Sequence, residues 1–256
     1  MGNNYVVLRA SPDWRRYDLE DSRAFCRNKG VPEDLILRFA GEWRQTLGMD
    51  FREFRHEMAQ IALASVEASS HCQLLTSLDM PRIPADDDFF VFMDDDDWIA
   101  PHLFEALRAH GMQHDFLWSS VFLGKFVVDL PGIPVGSPAL KKRPLENTVY
   151  TNNYSLTGKT LKLVGTEGIF EHFDAQAKLD SGEFRPQKTP SYLSCANKHP
   201  CCTVSAVYNL PHLSGTMRAM VTAYAEALRE IELDADTLWM EPYLRRLEIV
   251  VERCLN

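Results

Sequence analysis

The 256-residue chain has no apolar run near the roughly 18 residues that a membrane-crossing helix needs, so no transmembrane segment is expected. Its opening, MGNNYVVLRASPDW, lacks the basic stretch and apolar stretch of a secretory leader, and a cytoplasmic protein is expected. Positive charge is scarce as well. Lys and Arg total 27 against 36 Asp and Glu, a formal net charge of −9, which argues against a nucleic-acid partner. The same balance still permits a nucleotide whose phosphates are held by a metal ion rather than by Lys and Arg. Six cysteines are too few for a disulfide scaffold, and none forms a C-x-x-C pair. Cys26, Cys72 and Cys254 fall in apolar-periodic stretches and read as buried thiols. Internal repeats are lacking too. Hydrophobic residues at 45% and charged residues at 25% are the proportions of a globular chain, which excludes a collagen-like or largely disordered one.

What is present reads as α/β. Tyr5-Val6-Val7-Leu8 is a short apolar run that ends in Arg9 and a Ser-Pro turn, the pattern of an opening strand. Residues 18–70 read as helical. Within them Phe51, Phe54, Met58, Ile61 and Ala62 share one helix face. Phe89-Phe90-Val91-Phe92-Met93 is apolar throughout and bounded by acid on both sides, as expected of a strand buried on both faces. A short helix over residues 102–110 should stop at Gly111, and strands are expected at 116–123, 125–130, 148–151 and 160–164. Residues 131–138, PGIPVGSP, are the strongest breaker cluster and read either as a linker or as a loop over a site. A helix is expected around 170–179 and apolar alternation over 204–210. Two helices close the chain, roughly 215–231 and 238–255. The second carries a stripe of Leu244, Leu247, Val250 or Val251, and Cys254. That stripe reads either as docking onto the chain's own core or as a homodimer surface.

The informative stretch is Asp94-Asp95-Asp96-Asp97-Trp98-Ile99-Ala100-Pro101. Four consecutive carboxylates repel one another and call for a counter-charge. The earlier run, Asp86–Asp88, fits a solvated acidic loop. The later one does not, because it follows a buried strand directly and precedes a Pro-initiated helix. That puts it in a turn at the carboxyl end of a strand, where open α/β sheets place their ligands. Mg²⁺ and Mn²⁺ prefer oxygen ligands and accept one or two carboxylates while substrate phosphates complete the shell. Carboxylates at i and i+2 in extended backbone point the same way, so Asp94 and Asp96 share one side of the turn.

This segment resembles the strand-plus-D-x-D-D-x-x-x-P element of GT-A-type glycosyltransferases, especially glycosyltransferase family 2 and related bacterial sugar transferases. The resemblance is tight from Phe89 to Pro101. It implies a GT-A-like open mixed sheet flanked by helices, with a helical N-terminal insertion and two C-terminal helices. It also implies one catalytic domain over residues 1–256, with a nucleotide- and metal-binding half (1–130), an acceptor side (139–210) and the terminal helices (211–256). The implied activity is transfer of a sugar (hexosyl or deoxyhexosyl, with inversion) from a nucleotide-diphosphate donor to a hydroxyl of a glycan or glycolipid, such as a bacterial surface glycan. By position, Asp94 would lie near the ribose or metal, Asp96 would ligate Mn²⁺ or Mg²⁺ directly, and Asp97 would ligate or support. The base contacts that the resemblance implies are expected from Arg9, Asp21 or Arg23.

Further candidates are spread downstream. Cys195, His199, Cys201 and Cys202 lie within eight residues, at a spacing that matches no common closed zinc site. By the resemblance, His199 is the candidate for a further metal ligand from the C-terminal region, and Lys198 for phosphate. An inverting transferase needs a general base for the acceptor hydroxyl. Glu171 and Asp174, three apart on the expected helix, are the chosen candidates among Glu167, Glu171, Asp174, Asp180 and Glu183. Trp98, Trp118, Tyr150 and Tyr154 read as core or as stacking surfaces for a sugar or base. Asn152 and Asn153 fit an acceptor-facing loop or simple turn chemistry. On the residues alone, two other readings stay open. One is a different carboxylate-metal enzyme, a phosphohydrolase or nucleotidyltransferase; the other is a non-enzymatic domain whose acids bind Ca²⁺ or a basic partner.

Overall fold

The computed structural model describes residues 2–9, 33–76, 84–111, 113–124, 139–150, 152–165, 172–200 and 217–256. The strand expected at 125–130, the breaker cluster at 131–138 and the alternation at 204–210 lie outside these. The elements run β1 (Asn4–Arg9), α1 (Glu33–Thr46), α2 (Phe51–Ala68), β2 (Gln73–Thr76), β3 (Phe89–Asp94), β4 (Trp98–Ile99), α3 (Leu103–Arg108) and β5 (Phe116–Leu123). They continue β6 (Leu140–Arg143), β7 (Tyr154–Thr157), α4 (Gly158–Val164), α5 (His172–Ser181), β8 (Gln187–Asn197), α6 (Met217–Arg229), a 3-10 turn (Leu238–Met240) and α7 (Glu241–Leu255). These residues gather into two compact units, each built from separated stretches of chain.

The first unit takes Met1–Pro12, Ala62–Val121 and Lys142–Ala196. Its sheet has the order β2-β1-β3-β7-β5-β8-β4, with β6 paired to β5. β1 lies parallel to both β2 and β3, while β3–β7, β5–β7 and β4–β8 are antiparallel, so the sheet is mixed. Strand β3 is apolar without alternation because both of its faces are covered. Phe90 and Phe92 join Val7, Leu117, Tyr154, Leu156, Leu161 and Leu179 in one core. On the other side Phe89 meets Phe104 of α3 and Phe116 of β5 edge-on. Helices therefore flank the sheet, the layered α/β arrangement.

Two local expectations are overturned by hydrogen bonding. The segment 160–164 is β-rich in composition, yet it forms helix α4. Thr157 caps that helix by accepting from the Thr160 N–H, and the Asp115 carboxylate takes the Thr157 N–H at 2.7 Å and the Thr160 hydroxyl at 2.7 Å. A cap tied down by a residue distant in sequence outweighs weak local propensity. The strand expected at 148–151 is displaced to Tyr154–Thr157, because Asn153 holds the preceding segment in a turn. Its Oδ1 accepts from the Tyr150 N–H, and its Nδ2 donates to the carbonyls of Trp118 and Thr148.

The second unit takes Asp13–Ile61, Phe122–Lys141 and Asn197–Asn256. Trp43 of α1 packs edge-on against Phe51 and Phe54 of α2 and donates its indole N–H to the Met49 carbonyl. The stripe of α7 is buried along its length: Leu244, Leu247, Val250, Val251 and Cys254 all face inward, as do Met220, Val221, Tyr224 and Leu228 of α6. Arg253 binds Glu53 and Glu57 at the rim. Docking onto the chain's own core thus accounts for the stripe. Among the described residues no helix is long and apolar enough to cross a membrane.

Candidate metal centre

The acidic turn begins where β3 ends. Asp94 is the last strand residue, Asp95 and Asp96 form the turn, and the Asp97 N–H returns to the Asp94 carbonyl at 3.2 Å. Trp98 and Ile99 then pair with Cys195 and Ser194 of β8, and the Ile99 N–H donates to the Ser65 hydroxyl of α2. The turn is anchored at both ends by sheet and buried between them: Asp95, Asp96 and Asp97 are buried, and only Asp94 is partly exposed.

Asp94, Asp96 and Asp97 each direct one carboxylate oxygen into a group whose members lie within 4.8 Å of one another. At an effective dielectric of 20, each such pair of ionised oxygens repels by roughly 3–4 kcal/mol. One cation answers part of that. Arg9 is the register partner of Asp94 at the end of β1, and its Nε stands 3.1 Å from Asp94 Oδ1. Burial opposes the guanidinium charge, but Asp94, Tyr154 and Asp97 outweigh it and hold Arg9 above its ordinary range. Three convergent hard oxygens match what Mg²⁺ or Mn²⁺ requires. The donor set fits a divalent ion.

Other sequence candidates sit elsewhere. Glu171, Glu167, Asp21, Arg23, Cys201 and Cys202 lie outside the described residues. Asp174 is exposed in the first turn of α5. Asp180 accepts from Gln176, and Glu183 is drawn down by its bonds to Lys178 and Ser181. His199 belongs to the second unit, fully buried, with Nε2 3.0 Å from Arg55 Nη1 and its ring against Phe54. A guanidinium only donates, so Nε2 is the acceptor and the ring proton sits on Nδ1. The lone pair that a metal would use faces Arg55. Trp98, Trp118 and Tyr154 are core residues: Tyr154 stacks on Phe92, and the Trp118 indole donates to Ser194.

Sequence reading missed the Arg9–Asp94 pair. That pair depends on the register of β1 against β3. Sequence reading also misjudged Asp88, which is buried and accepts backbone N–H bonds from Asn3 and Ala85 at 3.0 and 2.8 Å. No family model matches the chain, and no curated protein matches its sequence.

Proposed function

We propose that the protein is a metal-dependent glycosyltransferase of GT-A type that moves a sugar from a nucleotide-diphosphate donor to a hydroxyl acceptor, such as a bacterial surface glycan. One observation carries this reading. Three carboxylates converge in a buried turn at the carboxyl end of β3, beside the parallel strand β1, in the D-x-D-D-x-x-x-P context. Open α/β sheets bind nucleotides at such strand ends.

Asp94, Asp96 and Asp97 would hold Mn²⁺ or Mg²⁺, and Asp94 would also face the donor's ribose. When bound, the ion supplies a Lewis acid that stabilises the departing diphosphate. The chain's own residues do the rest. Burial of the turn keeps bulk water from the carboxylates and strengthens their pull on the ion. Arg9, with Nε 3.1 Å from Asp94 Oδ1, would orient that carboxylate. Glu171 or Asp174 would take the acceptor hydroxyl proton.

A panel of nucleotide-sugars incubated with the protein and Mn²⁺ tests the reading. Release of a nucleoside diphosphate from one donor, abolished by chelation, is expected. Release of inorganic phosphate from simple phosphate esters, with all nucleotide-sugars left intact, would make it a phosphohydrolase instead.

A further inference from the structure

The acidic turn contains its own cation, and that cation is placed by the sheet. Arg9 and Asp94 occupy the same rung of two adjacent parallel strands, following Leu8 opposite Met93 and Val7 opposite Phe92. Parallel strands lie about 4.8 Å apart, so their relative position is fixed by a backbone ladder rather than by side-chain preference. The guanidinium is the buried partner, with 8% of its side chain exposed against 33% for Asp94. Its field also reaches Asp97, which is fully buried. An inward cation on this scale costs several kcal/mol of desolvation and persists only where buried anions need it.

We propose that Arg9 is the positioning residue of the acidic turn: placed by strand register beside Asp94, it fixes where the Asp94 carboxylate stands and so holds it close to Asp96 and Asp97 in the metal-free protein. The part that concerns an ion rests on the reading of the triad as a metal centre. Two effects compete on removing Arg9. Losing a positive charge strengthens attraction for a divalent ion, whereas losing its hold on Asp94 lets the carboxylates separate. The short Nε contact and the burial favour the second effect.

Charge and position can be separated by chemistry. The Arg9→Lys side chain keeps the charge but lacks the planar guanidinium, whose Nε stands 3.1 Å from Asp94 Oδ1. The Arg9→Gln side chain loses the charge. The test uses the full chain, first stripped by chelator and melted, then titrated with Mn²⁺ alone, for wild type, Arg9→Lys, Arg9→Gln, Asp94→Asn and the Arg9→Gln/Asp94→Asn double variant. Without metal, Arg9→Gln is expected to lower the melting temperature more than Asp94→Asn does. The double variant should recover part of that loss, because it removes one of the repelling carboxylates. In the titration Arg9→Lys should bind Mn²⁺ at least tenfold more weakly than wild type.

Additive melting shifts in the cycle would overturn the proposal, as would wild-type Mn²⁺ affinity in Arg9→Lys. Should Arg9→Gln fail to fold, the cycle is run with Arg9→Lys in its place under the same criterion. If wild type itself takes up no Mn²⁺, the metal reading fails, and the metal-free cycle alone decides the role of Arg9.

Discussion

Asp86–Asp88 and Asp94–Asp97 flank the same buried strand, and they handle their charge by different means. At the amino end, Asp86 is exposed and pairs with Lys162, which holds its carboxyl below the usual range. Asp88 turns inward, but its two oxygens accept backbone N–H groups of Asn3 and Ala85. At the carboxyl end, Asp94 meets a buried arginine, and Asp96 and Asp97 converge with it. The comparison teaches how to read an acidic run. A carboxylate answered by backbone donors closes a turn, whereas several aimed at one another form a group that could hold a cation.

The largest effect is expected where that difference is greatest. Asp96→Asn keeps the shape and removes a hard anionic ligand, so Mn²⁺-dependent affinity for a nucleoside diphosphate should fall about a hundredfold or more in calorimetry. The melting temperature should hold or rise, because like-charge repulsion is relieved. Asp88→Ala inverts the pattern. It removes two charge-assisted bonds to backbone and should cost about 2–4 kcal/mol in urea unfolding while Mn²⁺ affinity stays unchanged. Loss of Mn²⁺ binding in Asp88→Ala would erase the contrast between the two ends.

The second unit offers a smaller test. His199→Ala removes the acceptor that Arg55 Nη1 faces, and should cost about 1–3 kcal/mol in stability. Because that nitrogen is already engaged, Mn²⁺ affinity should stay within about twofold. A loss beyond about fivefold would place His199 in the ion's shell. The smallest effect concerns Cys254, whose thiol burial pushes up to about 12. The folded thiol keeps its proton to higher pH than the unfolded one, near 8.5. Its contribution to stability is therefore present below about pH 8.5 and lost as pH rises toward 12. At pH 8.5 an alkylating reagent should modify Cys72, which is only partly buried, well before Cys254. Equal rates would show that α7 opens readily.

Much of the frame could be read from residue order. β3 was legible because the residues before its final Asp94 are apolar on both faces, and α7 because its stripe repeats at helical spacing. The acidic turn was legible because a buried strand ends where the charge begins. What stayed hidden depends on contacts distant in sequence. β8 was obscured by Pro190, which sits in its exposed half, and by the cysteines that drew attention to its end. α4 depends on Asp115, more than 40 residues earlier. Arg9 could be guessed as a nucleotide contact, but its pairing with Asp94 is a matter of strand register, which local pattern does not encode.

The central claim, that the triad is a metal centre built for a donor diphosphate, is tested most directly by calorimetric titration of Mn²⁺ and a nucleoside diphosphate, each alone and each in the presence of the other. An ion held by Asp94, Asp96 and Asp97 would take phosphate oxygens as further ligands, so each ligand would complete the other's coordination. Linkage then requires each to tighten the other by the same factor, expected at tenfold or more. Equal affinities with and without the second ligand would contradict the account.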